Sequence, residues 1–290
     1  MRGTAAVLVM AGWPLAGATA PPDWHEFDYA VSAAIGPGDE RVALLLRAQI
    51  DGRKCWLQLD TGAPDAVLWH GPASDAKAPA TAVQVRIGDL EKTVQAPAAV
   101  LAQVRQGECA VGSVGNGFFE HGTLALDFPG SRYAFVPGAT LGSDRMAQPM
   151  RYLRGPAGGG YPLLPALLFD GTPGHLLFDT GSARFGVVAP TLAQWTVLSG
   201  GRALADTAAV RSYAVSNAMD AAPLRCHDTT VGGTIALAGQ RLAPGIVSYC
   251  EGKELRLAVP LAGVLGLRAL AGHRITLDYV SQRWKLEKAD

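Results

Sequence analysis

The tripeptide Asp-Thr-Gly occurs twice in this chain, at Asp60-Thr61-Gly62 and at Asp179-Thr180-Gly181. Each copy ends a mostly apolar run, Trp56-Leu57-Gln58-Leu59 in one and Leu176-Leu177-Phe178 in the other. Each is followed by a small residue, Ala63 or Ser182, and preceded nine residues upstream by an Asp-Gly pair, Asp51-Gly52 or Asp170-Gly171. The pattern predicts a strand, a tight turn, a second strand and then the tripeptide at the strand end. An isolated Asp-Thr-Gly is usually only a strand-to-turn cap. Two copies in matching context predict a duplication that brings two carboxylates together.

The match continues downstream. Gly112-Ser113-Val114-Gly115 precedes Leu124-Ala125-Leu126-Asp127-Phe128, and Gly263-Val264-Leu265-Gly266 precedes Arg274-Ile275-Thr276-Leu277-Asp278-Tyr279. Short strands, Tyr133-Ala134-Phe135-Val136 and Arg283-Trp284-Lys285-Leu286, close the two halves. Asp60 to Asp127 spans 67 residues and Asp179 to Asp278 spans 99, so the second half carries an insert of 32. A repeat of this size indicates two copies of one domain, and with only two copies they form lobes rather than a solenoid. Plentiful glycine and proline between short Val/Leu/Thr segments favour an all-β chain.

These motifs resemble those of the aspartic proteases, and the bacterial retropepsin-like kind more than the pepsin kind. The resemblance covers most of residues 40–136 and 160–286, with Ser113 standing where the pattern prefers an apolar residue. It implies two homologous retropepsin-like (acid protease) β-barrel lobes with an active-site cleft between them. The expected divisions are a signal peptide at 1–20, a first lobe at 21–136, a linker at 137–160 and a second lobe at 161–290. The linker ends in the flexible run Gly155-Pro156-Ala157-Gly158-Gly159-Gly160. Short helices are expected near Phe118-Phe119, near Arg268-Ala269-Leu270 and over Pro190–Leu198.

The resemblance implies an aspartic endopeptidase in which Asp60 and Asp179 share one proton. Like charges at hydrogen-bonding distance do not both ionise cheaply, so one carboxyl serves as base on water and the other as acid. Thr61 and Thr180 would exchange hydrogen bonds across the lobes. Gly62 and Gly181 would let the backbone turn tightly and bring N–H groups to the carboxylates. Ser182 offers Asp179 a hydroxyl that Ala63 cannot offer Asp60, so Asp179 is expected to be the more acidic member. Asp127 and Asp278 read as structural caps, and Trp69 as a core aromatic rather than a subsite wall.

From Asp60 to Gly88 there are 28 residues, too few for a flap, whereas Asp179 to Gly232 offers 53. A single flap is therefore expected on the second lobe, over 211–218, with Tyr213, Ser216 and Asn217 as its candidate contact residues. The competing reading of 200–225 is an ordinary surface loop. A peptide or protein substrate would pair its backbone with the flap. Both aspartates lie in one chain, so a monomer suffices, although a dimer of like lobes is an alternative. No metal or organic cofactor is required by this chemistry.

Other features bound the reading. Twenty-five basic and 25 acidic residues balance, so nothing in the charge calls for nucleic acid or an acidic membrane as partner. Arg2 is the only early charge, residues 4–20 are mostly apolar or small, and Ala18-Thr19-Ala20 fits a small-x-small cleavage site. Export to the periplasm or medium is expected, without a stable membrane anchor, since a run with Pro14 inside it is a poor span. Four cysteines in an exported chain favour disulfides. Cys55–Cys109 and Cys226–Cys250 are the simplest of three pairings, and no spacing suits a metal. The six histidines accompany neither a Gly-x-Ser-x-Gly nor a His-Glu-x-x-His motif and read mostly as surface or strand-end residues. Two rival functions share the same expected fold: a peptide- or envelope-binding module that does not cleave, and a hydrolase of an unusual amide such as a peptidoglycan cross-bridge.

Overall fold

The computed structural model describes residues 22–289 apart from 33–39, 71–79, 108, 156–157, 216–222, 231–232, 244, 253–254 and 256. The proposed signal segment, Ser216 and Asn217 lie outside the described residues. The chain is mostly β, with one sheet of twelve strands and one of ten.

Each half builds its motif strand in the same way. Glu40–Ile50 pairs antiparallel with Arg53–Leu59 through a two-residue turn at Asp51-Gly52, where φ is 47° and 78°. Gly160–Leu167 pairs likewise with Pro173–Phe178, through a wider loop in which Asp170 accepts the Thr172 N–H at 2.9 Å. The Arg53–Leu59 strand alternates, burying Cys55, Leu57 and Leu59. That period of two turns one face into the core.

The downstream glycine motif returns beside the motif strand. Cys109–Val114 runs parallel to Arg53–Leu59 with Leu59 opposite Val114, and Gly263–Leu265 runs parallel to Pro173–Phe178 with Phe178 opposite Leu265. Parallel neighbours require a long crossover, which is why motif and partner strand are far apart in sequence. A short strand, Val67–Trp69 or Val187–Val188, flanks each returning strand on its far side. Gly115 and Gly266 then press against the motif loops. A Cβ on Gly115 would lie 2.5 Å from the Ala63 carbonyl oxygen, and one on Gly266 2.4 Å from that of Ser182.

The closing strands of the two halves do not stay apart. Gly122–Asp127 pairs antiparallel with His273–Asp278, so the chain's last strands enter the larger sheet beside those of the first half. Asp127 accepts Arg132 Nε at 2.8 Å and Arg274 Nη2 at 3.0 Å, one from each half. Burial would raise its pKa, but these bonds and that from Gly130 N–H hold the carboxyl below its usual range. Asp278 accepts the N–H groups of Leu141 and Ser281 and the Ser281 hydroxyl. Residues 137–160, read from sequence as a linker, instead carry the strands Gln148–Pro149 and Arg151–Arg154, held down by buried Met150 and Tyr152.

Short helices form at Asn116–Phe119 and Leu192–Leu198, with a 3-10 turn at Leu267–Leu270, where sequence places them. A further helix, Ala98–Gln106, is not anticipated by the all-β reading; it starts after Pro97 and buries Val100, Leu101 and Val104 on one face. Disulfides join Cys55 to Cys109 and Cys226 to Cys250, in each case across directly paired strands. Among the described residues no helix is long and apolar enough to cross a membrane.

Candidate active site

The two motif loops meet at the junction of the halves. Each aspartate is set by its neighbouring parallel strand: Asp60 N–H donates to the Val114 carbonyl at 2.9 Å and Asp179 N–H to that of Leu265 at 3.0 Å. Each carboxylate also accepts the N–H two residues on, from Gly62 at 2.9 Å and Gly181 at 2.8 Å. Neither glycine is in the left-handed region. What excludes a side chain is space. A Cβ on Gly62 would stand 2.6 Å from Cγ of Asp179, and one on Gly181 2.8 Å from Oδ1 of Asp60. The expectation that these glycines serve backbone freedom is therefore corrected: they let each loop approach the opposite carboxylate.

Thr61 and Thr180 are fully buried and exchange four hydrogen bonds between the halves. Thr61 Oγ1 donates to the Phe178 carbonyl at 2.8 Å and accepts Thr180 N–H at 3.0 Å. Thr180 Oγ1 donates to the Leu59 carbonyl at 2.7 Å and accepts Thr61 N–H at 2.9 Å. Every donor and acceptor of this cluster is satisfied away from water, which the low dielectric rewards.

Each motif glycine abuts the opposite carboxyl, which sets the two carboxyls close together. Burial, then the charge of Asp179 and its side-chain hydrogen bonding, push the Asp60 carboxyl well above its usual range; the Gly62 and Ala63 N–H groups oppose this without offsetting it. The two halves differ at the next residue. Ser182 Oγ donates to Asp179 Oδ2 at 2.7 Å, whereas Ala63 has no hydroxyl to offer Asp60.

Sequence reading overlooked a second brace. Asn116 is fully buried, and its Nδ2 reaches the carbonyls of Thr61 at 2.7 Å, Ala63 at 3.1 Å and Gly160 at 2.8 Å. Its Oδ1 accepts the hydroxyl of Tyr279 at 2.8 Å, 163 residues away. Asn116 thus ties the first motif loop to the start of the second half and to the turn that follows its strand His273–Asp278. The one available signal was that Leu267 occupies the equivalent position after Gly266, so an amide there breaks the repeat. Tyr161 was also passed over; burial and the charges of Asp65 and Asp60 raise its phenol pKa.

Other residues singled out from sequence fall elsewhere. Tyr213 lies on Val210–Val215, which forms a hairpin with Leu224–Thr230. Its hydroxyl donates to Asp228 Oδ1 at 2.8 Å and its ring lies 4.3 Å from the Arg184 guanidinium, so it is anchored at the hairpin, not at the aspartates. Cys55, Cys109, Cys226 and Cys250 are structural crosslinks. Trp69 packs against the core and donates to the Gln95 carbonyl. Ser113 is buried against His70 Nε2 at 2.9 Å, which explains a polar residue at an apolar position. His227, expected near the surface, is buried and bonded to Ser212 and Glu251.

No protein-family model matches the chain, and no curated protein matches it. Among solved structures it is similar to the crystal structure of an aspartic proteinase from Irpex lacteus, at 14% identity, with 86% of this chain and 95% of that one covered and a TM-score of 0.46.

Two outcomes follow from the geometry. Thr61→Val leaves Thr180 N–H and the Phe178 carbonyl buried without partners, and is expected to cost about 3 kcal/mol in urea unfolding; Thr61→Ser, which keeps the hydroxyl, loses far less. A Thr61→Val variant as stable as the parent would show that the exchange does not hold the halves. Asp60→Asn removes a carboxyl whose pKa is raised on folding. Folding with such a group weakens as pH rises from the ordinary carboxyl value, near 4, through the raised one. The variant should therefore melt higher than the parent at neutral pH, with the gain vanishing in acid. Equal melting temperatures at both would contradict the raised pKa.

Proposed function

We propose that the chain is an aspartic-type endopeptidase that hydrolyses peptide bonds with a water activated between Asp60 and Asp179. The observation that carries this reading is a pair of carboxyls from opposite halves, set against each other by the motif loops, with the Asp60 carboxyl driven to keep its proton. Asp60 holds the shared proton, because burial and the neighbouring charge disfavour its ionised form. Asp179, with the Ser182 hydroxyl on its outer oxygen, is the ionised member. Asp179 takes a proton from water as the water attacks the peptide carbonyl, and Asp60 gives its proton to the carbonyl oxygen. Collapse of the tetrahedral diol then breaks the C–N bond, as Asp179 passes the proton it took to the departing amine and a diol hydroxyl returns one to Asp60. The pair titrates as a unit, so activity should rise and fall with two apparent pKa values.

The substrate lies extended, its backbone pairing with the hairpin of Val210–Val215 and Leu224–Thr230 as an added strand. This is the single-flap, retropepsin-like form of the reading, with the flap on the second half. In the first half only the strand Val67–Trp69 is described between the motif and residue 80. Two disulfides fit an exported protein working in an oxidising compartment.

A diverse peptide library incubated between about pH 3 and 7, where a carboxyl pair can hold one proton, tests the reading. The chain lacking residues 1–20 should cut within peptides, and Asp60→Asn and Asp179→Asn should each reduce turnover by about a thousandfold. Folded protein that cuts nothing across the range would favour a binding module or a different amide. Ser182→Ala removes a hydrogen bond to the charged form of the Asp179 carboxylate, so the acid limb of the profile should move to higher pH. A profile superimposable on that of the parent would show that Ser182 does not tune the pair.

A further inference from the structure

Away from the motif loops, three side chains of the second half form a chain of hydrogen bonds. Ser212 Oγ lies 2.8 Å from His227 Nδ1, and His227 Nε2 lies 2.7 Å from Glu251 Oε1. Ser212 stands on Val210–Val215, His227 is its partner on Leu224–Thr230, and Glu251 directly follows Ile246–Cys250, the next strand. Cross-strand partners share a face, so the hydroxyl and the imidazole meet side by side, with the carboxylate beyond. A hydroxyl on one ring nitrogen and a carboxylate on the other is the order of a nucleophile, its base and the group that orients the base.

The carboxylate decides which way the protons point. Ionised, Glu251 only accepts, so Nε2 of the neutral ring carries the proton and Nδ1 keeps its lone pair. The bond between Ser212 and Nδ1 is then donated by the hydroxyl, the polarity that readies a serine for attack. The base is fixed and the nucleophile is open. His227 is 2% exposed and stacks on Tyr249, whereas Ser212 and Glu251 are exposed. The disulfide Cys226–Cys250 joins the residues just before His227 and Glu251, so a covalent crosslink as well as the ladder sets their spacing. Among the described residues Val210–Val215 is an outer strand that pairs only with Leu224–Thr230. An outer strand turns alternate N–H groups away from its sheet, toward an acyl group approaching from that side.

We propose that Ser212, His227 and Glu251 form a second hydrolytic centre, independent of the aspartate pair, which cleaves carboxylic esters through an acyl-serine. Ser212 Oγ bonds to the carbonyl carbon while its proton passes to His227 Nδ1. The C–O bond to the alcohol breaks, and the alcohol leaves with that proton. Water then attacks the acyl group and gives a proton to Nδ1. The bond to Oγ breaks, Oγ takes the proton back, and a carboxylic acid departs. Backbone donors on an outer strand are a modest oxyanion site, which suits an ester, with its better leaving group, over a peptide bond. Glu251 bonds the imidazole rather than the substrate and is the positioning residue.

The test uses the chain lacking residues 1–20 and carrying Asp60→Asn, so that the result bears on this centre alone. A fluorophosphonate is added at neutral pH and the adduct mapped by mass spectrometry. Ser212 should carry the phosphonyl group, fluoride having left, and p-nitrophenyl acetate should be hydrolysed. Ser212→Ala, a small change at an exposed position, should abolish both. His227→Gln should slow labelling of Ser212 about a hundredfold and Glu251→Gln about tenfold, the latter with the melting temperature unchanged. If His227→Gln does not fold, Glu251→Gln, at an exposed position, decides the matter. A Ser212 that stays unlabelled, or that is labelled as fast in the Glu251→Gln protein as in its parent, overturns the centre and leaves the three side chains as a structural brace of the hairpin.

Discussion

Four buried hydrogen bonds between Thr61 and Thr180 hold the two motif loops at one separation. Each hydroxyl donates to a carbonyl of the opposite motif strand and accepts the opposite threonine's N–H, so neither loop can shift without orphaning groups in both halves. An unmade hydrogen bond in the interior costs more than a made one contributes. The exchange therefore works chiefly as a constraint on position. The glycines that follow complete it by leaving no Cβ between each loop and the opposing carboxylate.

That constraint forces two carboxyls into contact, which is electrostatically unfavourable while both are charged. The charge of Asp179 adds to the larger effect of burial in raising the pKa of Asp60. Rigid loops matter here because the energy of two like charges changes steeply with separation in a poorly polarisable surround.

Duplication makes the two loops alike, and a few residues make them differ. Ser182 gives one carboxylate a hydroxyl that Ala63 cannot give the other. Asn116 and Tyr279 brace the first loop, while Leu267 offers the second no such bond. Both differences act on the motif loops, so the two carboxyls have distinct surroundings.

Much of the architecture was legible from sequence because it depends on local requirements. Two strands, an Asp-Thr-Gly loop and a returning Gly-x-x-Gly strand demand particular residues at close spacing, and so do the short helices after Gly115 and Gly266. The disulfide pairing was the simplest one available and is the one the strands enforce. The helix at Ala98–Gln106 was not legible, since a nine-residue segment takes its stability from burying Val100, Leu101 and Val104 rather than from its own propensity. The role of the motif glycines was misread for a related reason: what they face lies on the other half. The Asn116–Tyr279 brace and the burial of His227 also join positions distant in sequence. Sequence alone determined that two like halves would each present an aspartate at a strand end. Only tertiary structure decided how those aspartates are braced and how deeply they are buried, because such contacts depend on packing between segments that no local pattern connects.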